Sequence, residues 1–386
     1  MQEHPTDRLS RYLDHILAGA IERGRLVGAV LLVSIDGDAV FERSIGWADR
    51  EAERPMRTDT IFRMASMTKP LTCASAMVAV EEGLVDLDEP ITTWLKDFRP
   101  QLVDGRSPDI SVRQLMTHTA GLDYGFEYTR PIYRGTKISS GLDQPGLGLD
   151  EAMRRLIQAP LLYEPGRQWA YSLAIDVLGA VLEKVYGKPL SEIVHNNITG
   201  PLEMTDTRFK VVEMARLAAC YADDVPVPRL MTDPERVSSP TGPVIFSPSR
   251  IFEPSSYASG GAGMAGTAKD FLCFLEWLRQ GNRRLMSERG RILLVSPQLP
   301  ADIQIAGRPG WSHSFVGQVL VEPEVSYSFH NEGTYCGGGA YGQYWFVDPV
   351  APVTFVLFTN TAFEGCDGAT RIELCNAIYA ALGSKI

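Results

Sequence analysis

The chain has 386 residues, of which 45% are hydrophobic and 22% charged, and its formal net charge is −10. That is enough apolar material to bury a large core, as one domain or two joined halves, and the acidic balance speaks against nucleic acid or an anionic membrane as the main partner. Six cysteines (Cys73, Cys220, Cys273, Cys336, Cys366, Cys375) form no C-x-x-C pair and show no zinc spacing, so reduced, mostly buried thiols and no metal site are expected.

The N-terminal segment lacks a signal-peptide pattern, and the apolar run at 26–35 is too short to cross a bilayer, so a cytoplasmic location is expected. Within residues 8–24, Leu9, Leu13, Ile16, Leu17, Ala20 and Ile21 recur at helical spacing. Two β-rich runs on either side of Asp36-Gly37 read as a hairpin. Residues 60–65 read as extended chain, and residues 72–82 as a helix with Gly83 at its C-cap. Shorter helical patterns follow at Val112–Met116, Leu149–Ile157 and Ala174–Tyr186, between loops rich in Gly, Pro and Ser. The stretch 225–259 is poor in periodic signal and reads as a long surface excursion near the site. Strand-like runs return at 309–322, 325–330, 342–349 and 352–360, and residues 367–382 close as a helix.

This order predicts one domain of α/β plus all-α character. A mostly antiparallel sheet flanked by helices would come from about 1–85 and 260–386, a mainly helical part from about 86–259, and the cleft between them is the natural site.

Ser66-Met67-Thr68-Lys69 is the first motif with chemistry in it. A spacing of three on a helix puts Lys69 on the face of Ser66, and a helix start offers free N–H groups and a positive dipole end to negative charge forming there. Lys69 packed in an apolar cleft would serve as the base that a weak serine nucleophile needs. Read from the motif alone, Ser66 could equally be a plain N-cap with Lys69 in solvent. Tyr171-Ser172-Leu173 follows the turn signal Glu164-Pro165-Gly166 and precedes a helix, a junction well placed to project a side chain into a cleft. Gly337-Gly338-Gly339-Ala340-Tyr341-Gly342 is a glycine-rich strand end, where a substrate could approach the backbone closely or where a bulge serves packing alone. His118 lies in a Thr-His-Thr-Ala-Gly turn and reads as structural, His313 and His330 as packing or surface groups, and Gly260-Gly261-Ala262-Gly263 as tight packing near the cleft. There is no G-x-S-x-G elbow and no dinucleotide fingerprint.

The segment at 62–91 resembles the active-site segment of class C β-lactamase-like serine hydrolases. The likeness continues in family order through 115–122, 163–194, 201–209 and 337–349. It is closest to the family VIII carboxylesterases and implies a β-lactamase/penicillin-binding-protein-like fold. It further implies Ser66 as nucleophile, Lys69 as its partner base and Tyr171 as a proton relay to the leaving group, with the N–H groups of Ser66 and Ala340 as oxyanion hole. Gly338, Gly339, Tyr124 and Leu173 would line the substrate pocket. Two departures bear on the substrate. Leu173 stands where the lactamases keep Asn, and the strand lacks the Lys-Thr-Gly of penicillin-recognising enzymes. Both favour esters of small or medium acyl groups over penicillins. An amidase, β-lactamase or D-peptidase, an acyltransferase on the same site, and a non-catalytic binding protein of the same fold are the alternatives. The chemistry calls for no cofactor, the partner is a small ester or amide, and a homo-oligomer is left open.

Overall fold

The computed structural model describes residues 5–124, 137–239, 242–281 and 285–383. Helix α1 (Pro5–Glu22) buries Leu9, Leu13, Leu17 and Ala20, the stripe legible in the sequence. Strands β1 (Gly28–Ile35) and β2 (Asp38–Asp49) form the expected hairpin, with Asp36 and Gly37 both at positive φ. Positive φ at both central residues gives the turn whose twist suits paired strands. Next come β3 (Arg54–Pro55), β4 (Phe62–Arg63), a 3-10 turn at Ala65–Met67, and α2 (Thr68–Glu81). Helix α2 starts at Thr68 rather than at residue 72, because Pro70 in the first turn forfeits no intrahelical bond. Gly83 terminates it at φ 71°.

Helices α3 (Val112–Met116), α4 (Leu149–Ile157) and α5 (Ala174–Tyr186) occupy the spans their periodicity predicts, and α6 (Leu190–Val194) follows. The segment 225–259 is not a structureless excursion. After β5 (Tyr221–Ala222), its described residues supply β6 (Arg229–Leu230), β7 (Glu235–Val237) and β8 (Val244–Phe246), with β7 and β8 paired. Val237, Val244 and Phe246 are buried in one apolar cluster with Ala65 and Tyr341. Strands of two or three residues are too short to show alternation in a sequence.

The remainder runs β9 (Ala265–Gly266), α7 (Ala268–Gln280), α8 (Glu288–Val295), β10 (Trp311–His313), β11 (Gln318–Leu320), β12 (Tyr335–Gly339), β13 (Gln343–Asp348), β14 (Val353–Thr359), β15 (Thr361–Ala362), α9 (Glu364–Asp367) and α10 (Ala369–Leu382). Residues 325–330, expected as a strand, are turns instead. Tyr327 and Phe329 are exposed there, so the alternation of this run buries nothing.

The main sheet has the order β10-β11-β12-β13-β14-β1-β2-β3, and its pairs are antiparallel. The N-terminal hairpin joins the C-terminal strands through β1 against β14, with Leu31 opposite Leu357. Side chains alternate between faces along a strand, and here both faces are covered. Val30, Leu32, Val356 and Phe358 pack with α2 and α7, whereas Ala29, Leu31, Val33, Phe355 and Leu357 pack with α1 and α10. All six cysteines are free, and Cys273 alone among them lies on an exposed helix face.

Candidate active site

The approach to Ser66 is fixed on both sides. Before it, β4 pairs with β9, and Met64 N donates to Met264 O at 2.8 Å. Ala65 then takes φ 45°, a left-handed conformation that costs a residue with a Cβ about 1–3 kcal/mol and persists only where its surroundings enforce it. Ala65 is fully buried, which supplies that enforcement. The turn delivers Ser66 half-buried at the N-terminal end of α2. The N–H groups of Ser66 and Ala340 donate to no acceptor among the described residues.

Lys69, 6% exposed, points back along the helix. Its Nζ donates to Ser66 Oγ at 3.0 Å and to Gly261 O at 2.8 Å. It lies 4.7 Å from the ring centroid of Tyr171 and 5.3 Å from that of Tyr124. Gly261 belongs to the glycine run of 260–263, which is clamped to α2 by two further bonds. Thr72 Oγ1 donates to Gly260 O at 2.9 Å, and Met264 N donates to Thr68 Oγ1 at 3.2 Å. This run also presses on the start of α5. A Cβ on Gly260 would sit 2.6 Å from Ile175 O, and one on Gly261 would sit 2.4 Å from Asp176 Oδ2. The expected tight packing near the cleft thus has a specific product, the carbonyl that holds Lys69.

Tyr171 stands just before α5, 38% exposed, and its hydroxyl has no partner among the described residues. His118 supports its ring from below at 4.8 Å between centroids. His118 is buried at φ 57°, and its Nδ1 accepts from Ser172 N at 3.3 Å, which leaves the proton on Nε2. Burial, then the neighbouring His313 and Lys69, hold His118 well below the usual imidazole range, and burial brings His313 down to about 4. Both rings are therefore neutral packing groups around neutral pH. His313 closes against His118 at 5.3 Å and Trp169 at 5.8 Å. His330 lies elsewhere, with Nδ1 2.8 Å from the Tyr379 hydroxyl.

The pocket residues read from the sequence fare unevenly. Tyr124 does join the site, its ring 5.4 Å from that of Tyr171, and burial drives its phenol far above its ordinary range. Leu173 does not: it is 2% exposed and packs in the core, because the first turn of α5 presents it inward with Ala174 and Ile175. Gly338 and Gly339 are not open to a ligand on their Cβ sides. A Cβ on Gly339 would sit 2.4 Å from Met64 O, and one on Gly338 would sit 2.8 Å from Gln343 O. Gly339 is what lets β12 dock against the turn that carries Ser66. Ala340 follows it directly, half-buried beside Ala65 and Tyr341.

Asp176, Ser259 and Trp169 were not singled out in the sequence. Asp176 is buried, accepts from Ser259 Oγ at 2.6 Å, and is pushed upward by burial. A lone carboxylate between Ile175 and Val177 on an apolar helix was the available signal.

The chain is 42% identical to Esterase EstB of Burkholderia gladioli over 376 residues, covering 96% of this chain and 95% of that one. It is 26% identical to the ML-236A carboxylate methylbutanoyltransferase mlcH of Penicillium citrinum, covering 88% and 86%. The solved structure of EstCE1, a hydrolase with promiscuous acyltransferase activity, superposes with a TM-score of 0.93 at 36% identity, covering 97% of this chain and 99% of that one. The model of the family described as Beta-lactamase matches residues 13–375, and the chain belongs to the beta-lactamase family.

Proposed function

We propose that this serine hydrolase is a carboxylesterase that works through an acyl-enzyme on Ser66. The observation that carries the reading is the 3.0 Å contact between Lys69 Nζ and Ser66 Oγ, with Lys69 buried and its second bond spent on Gly261 O. In the neutral amine the same contact runs the other way, and Lys69 takes the serine proton as Ser66 attacks the ester carbonyl. The unengaged N–H groups of Ser66 and Ala340 hold the oxyanion. Tyr171, its hydroxyl without a partner among the described residues and its ring beside the lysine, helps protonate the leaving alcohol. Water then releases the acid. The wall of Tyr124 and Tyr171, backed by the buried neutral His118, suits an uncharged, moderately apolar acyl group. The name of EstB favours esters, and those of EstCE1 and mlcH favour a second reading in which an alcohol acceptor replaces water.

The test is hydrolysis of p-nitrophenyl butyrate with intact-mass detection of the acyl-enzyme. Ser66→Ala should lower turnover by about 10⁴-fold or more and abolish the mass adduct; unchanged turnover would overturn the assignment. Nitrocefin cleavage at a comparable rate would move the reading to a lactamase, and an added alcohol that outcompetes water would move it to an acyltransferase. Failure of a fluorophosphonate to label Ser66 would favour a binding protein. Six unpaired thiols support a cytoplasmic location, and among the described residues no helix is long and apolar enough to cross a membrane.

A further inference from the structure

A cavity of about 390 Å³ lies beside α6 and the segment 250–263, and neither Ser66, Lys69 nor Tyr171 lines it. Its charge is unusual for a chain whose formal net charge is −10. Arg208, Lys210 and Arg250 all face it, and none has a carboxylate partner among the described residues. Arg250 is the telling one. It is only 6% exposed, yet its guanidinium bonds are to backbone carbonyls: Nε donates to Asp143 O at 3.1 Å and Nη2 to Tyr257 O at 2.8 Å. Its Nη1 has no hydrogen-bond partner among the described residues. The charge of Asp176 reaches it only at a distance, with no carboxylate in hydrogen-bond contact, so a buried guanidinium of this kind gains when an anion is bound against it. The two carboxylates at the rim are already engaged, Glu192 by Lys188 and Glu253 by the N–H and hydroxyl of Ser255. Apolar surface is present as well, from Phe209, Ile251 and Pro254.

We infer that this cavity binds a small organic carboxylate, its head on Arg250 and Lys210 and its short apolar part against Phe209 and Ile251. A carboxylate suits the unpartnered Nη1 of Arg250, a charge-assisted donor with both hydrogens unspent. Carboxylates are also what ester cleavage releases, so the choice of ligand rests on the esterase reading, whereas a binding measurement does not. The site adjoins the catalytic centre structurally. Tyr257, Ala258 and Gly263 in its wall flank the turn whose Gly261 carbonyl holds Lys69.

The experiment is calorimetric titration of the full chain carrying Ser66→Ala with sodium butyrate and, separately, with inorganic phosphate. Butyrate should bind one per chain, and Lys210→Glu, an exposed change without structural partners, should weaken it by about tenfold. Arg250→Gln should remove binding; if that variant fails to fold, Lys210→Glu decides alone. Absence of saturable butyrate binding, binding indifferent to Lys210→Glu, or binding of phosphate but not butyrate would each overturn the inference.

Discussion

At the level of single residues the site depends on where few protons and few donors sit. Tyr171 contributes a ring and a hydroxyl, and Tyr171→Phe keeps the first while removing the second. Its kcat on p-nitrophenyl butyrate should fall by about 10²-fold, with KM nearly unchanged, because the loss is felt in proton transfer; a change confined to KM would contradict that role. His313 makes a different prediction. Its buried ring is held down at about 4 from an ordinary 6.5. Above 6.5 it is neutral in both folded and unfolded chains. As pH falls from 6.5 toward 4 the unfolded chain takes the proton first, so stability is lost across that window. His313→Leu removes this loss, so its thermal midpoint should gain on that of the wild type as pH is lowered from 6.5 to 4. A constant difference would mean that His313 titrates normally. Spacing and flanking turns single out Ser66, Lys69 and Tyr171 in the sequence, and the fold brings these three side chains together. Leu173 misled, since an apolar residue at a helix start looks the same whether it faces a cleft or a core. At Gly338 and Gly339 the structure supplies a packing reason for the glycines that the sequence could not show, since a glycine beside a backbone resembles a glycine beside a ligand.

Among the elements, the junction of α2 with the glycine run matters most. Lys69, Thr72 and Thr68 each bond to the stretch 260–264, so one helix face is tied to a segment nearly two hundred positions away. Thr72→Val conserves shape but leaves the buried Gly260 carbonyl unpaired, at a cost of about 1–3 kcal/mol. The urea midpoint should drop accordingly with an unchanged slope. Activity should drop too, since the Lys69 acceptor is the next residue. Full stability with lost activity, or the reverse, would separate the two roles assigned to this junction. The helices of ordinary length were readable from period alone, as α1 and α5 show. The strands β4, β5, β6 and β9 were not, because two residues carry no period and each exists only through its partner.

For the molecule as a whole, the sheet joins both ends of the chain, and the mainly helical part inserted between them shares one continuous core with it, from Val30 through Leu178 to Phe358. We therefore expect a single cooperative transition in urea, coincident by far-ultraviolet and tryptophan signals. Two resolved steps would show that the middle stands apart from the sheet. The mixed architecture was legible from strand-like runs at both ends, but the join of β1 to β14 was not, since long-range pairing leaves no local mark. The bond from Lys69 to Gly261 spans 192 residues of sequence. A ribosome that has just added Tyr171 has already made Ser66, Lys69 and Tyr171, the three groups we propose for the chemistry, but not the carbonyl that holds Lys69 in place. The growing chain therefore carries Ser66 and Lys69 without that carbonyl for about half of its synthesis.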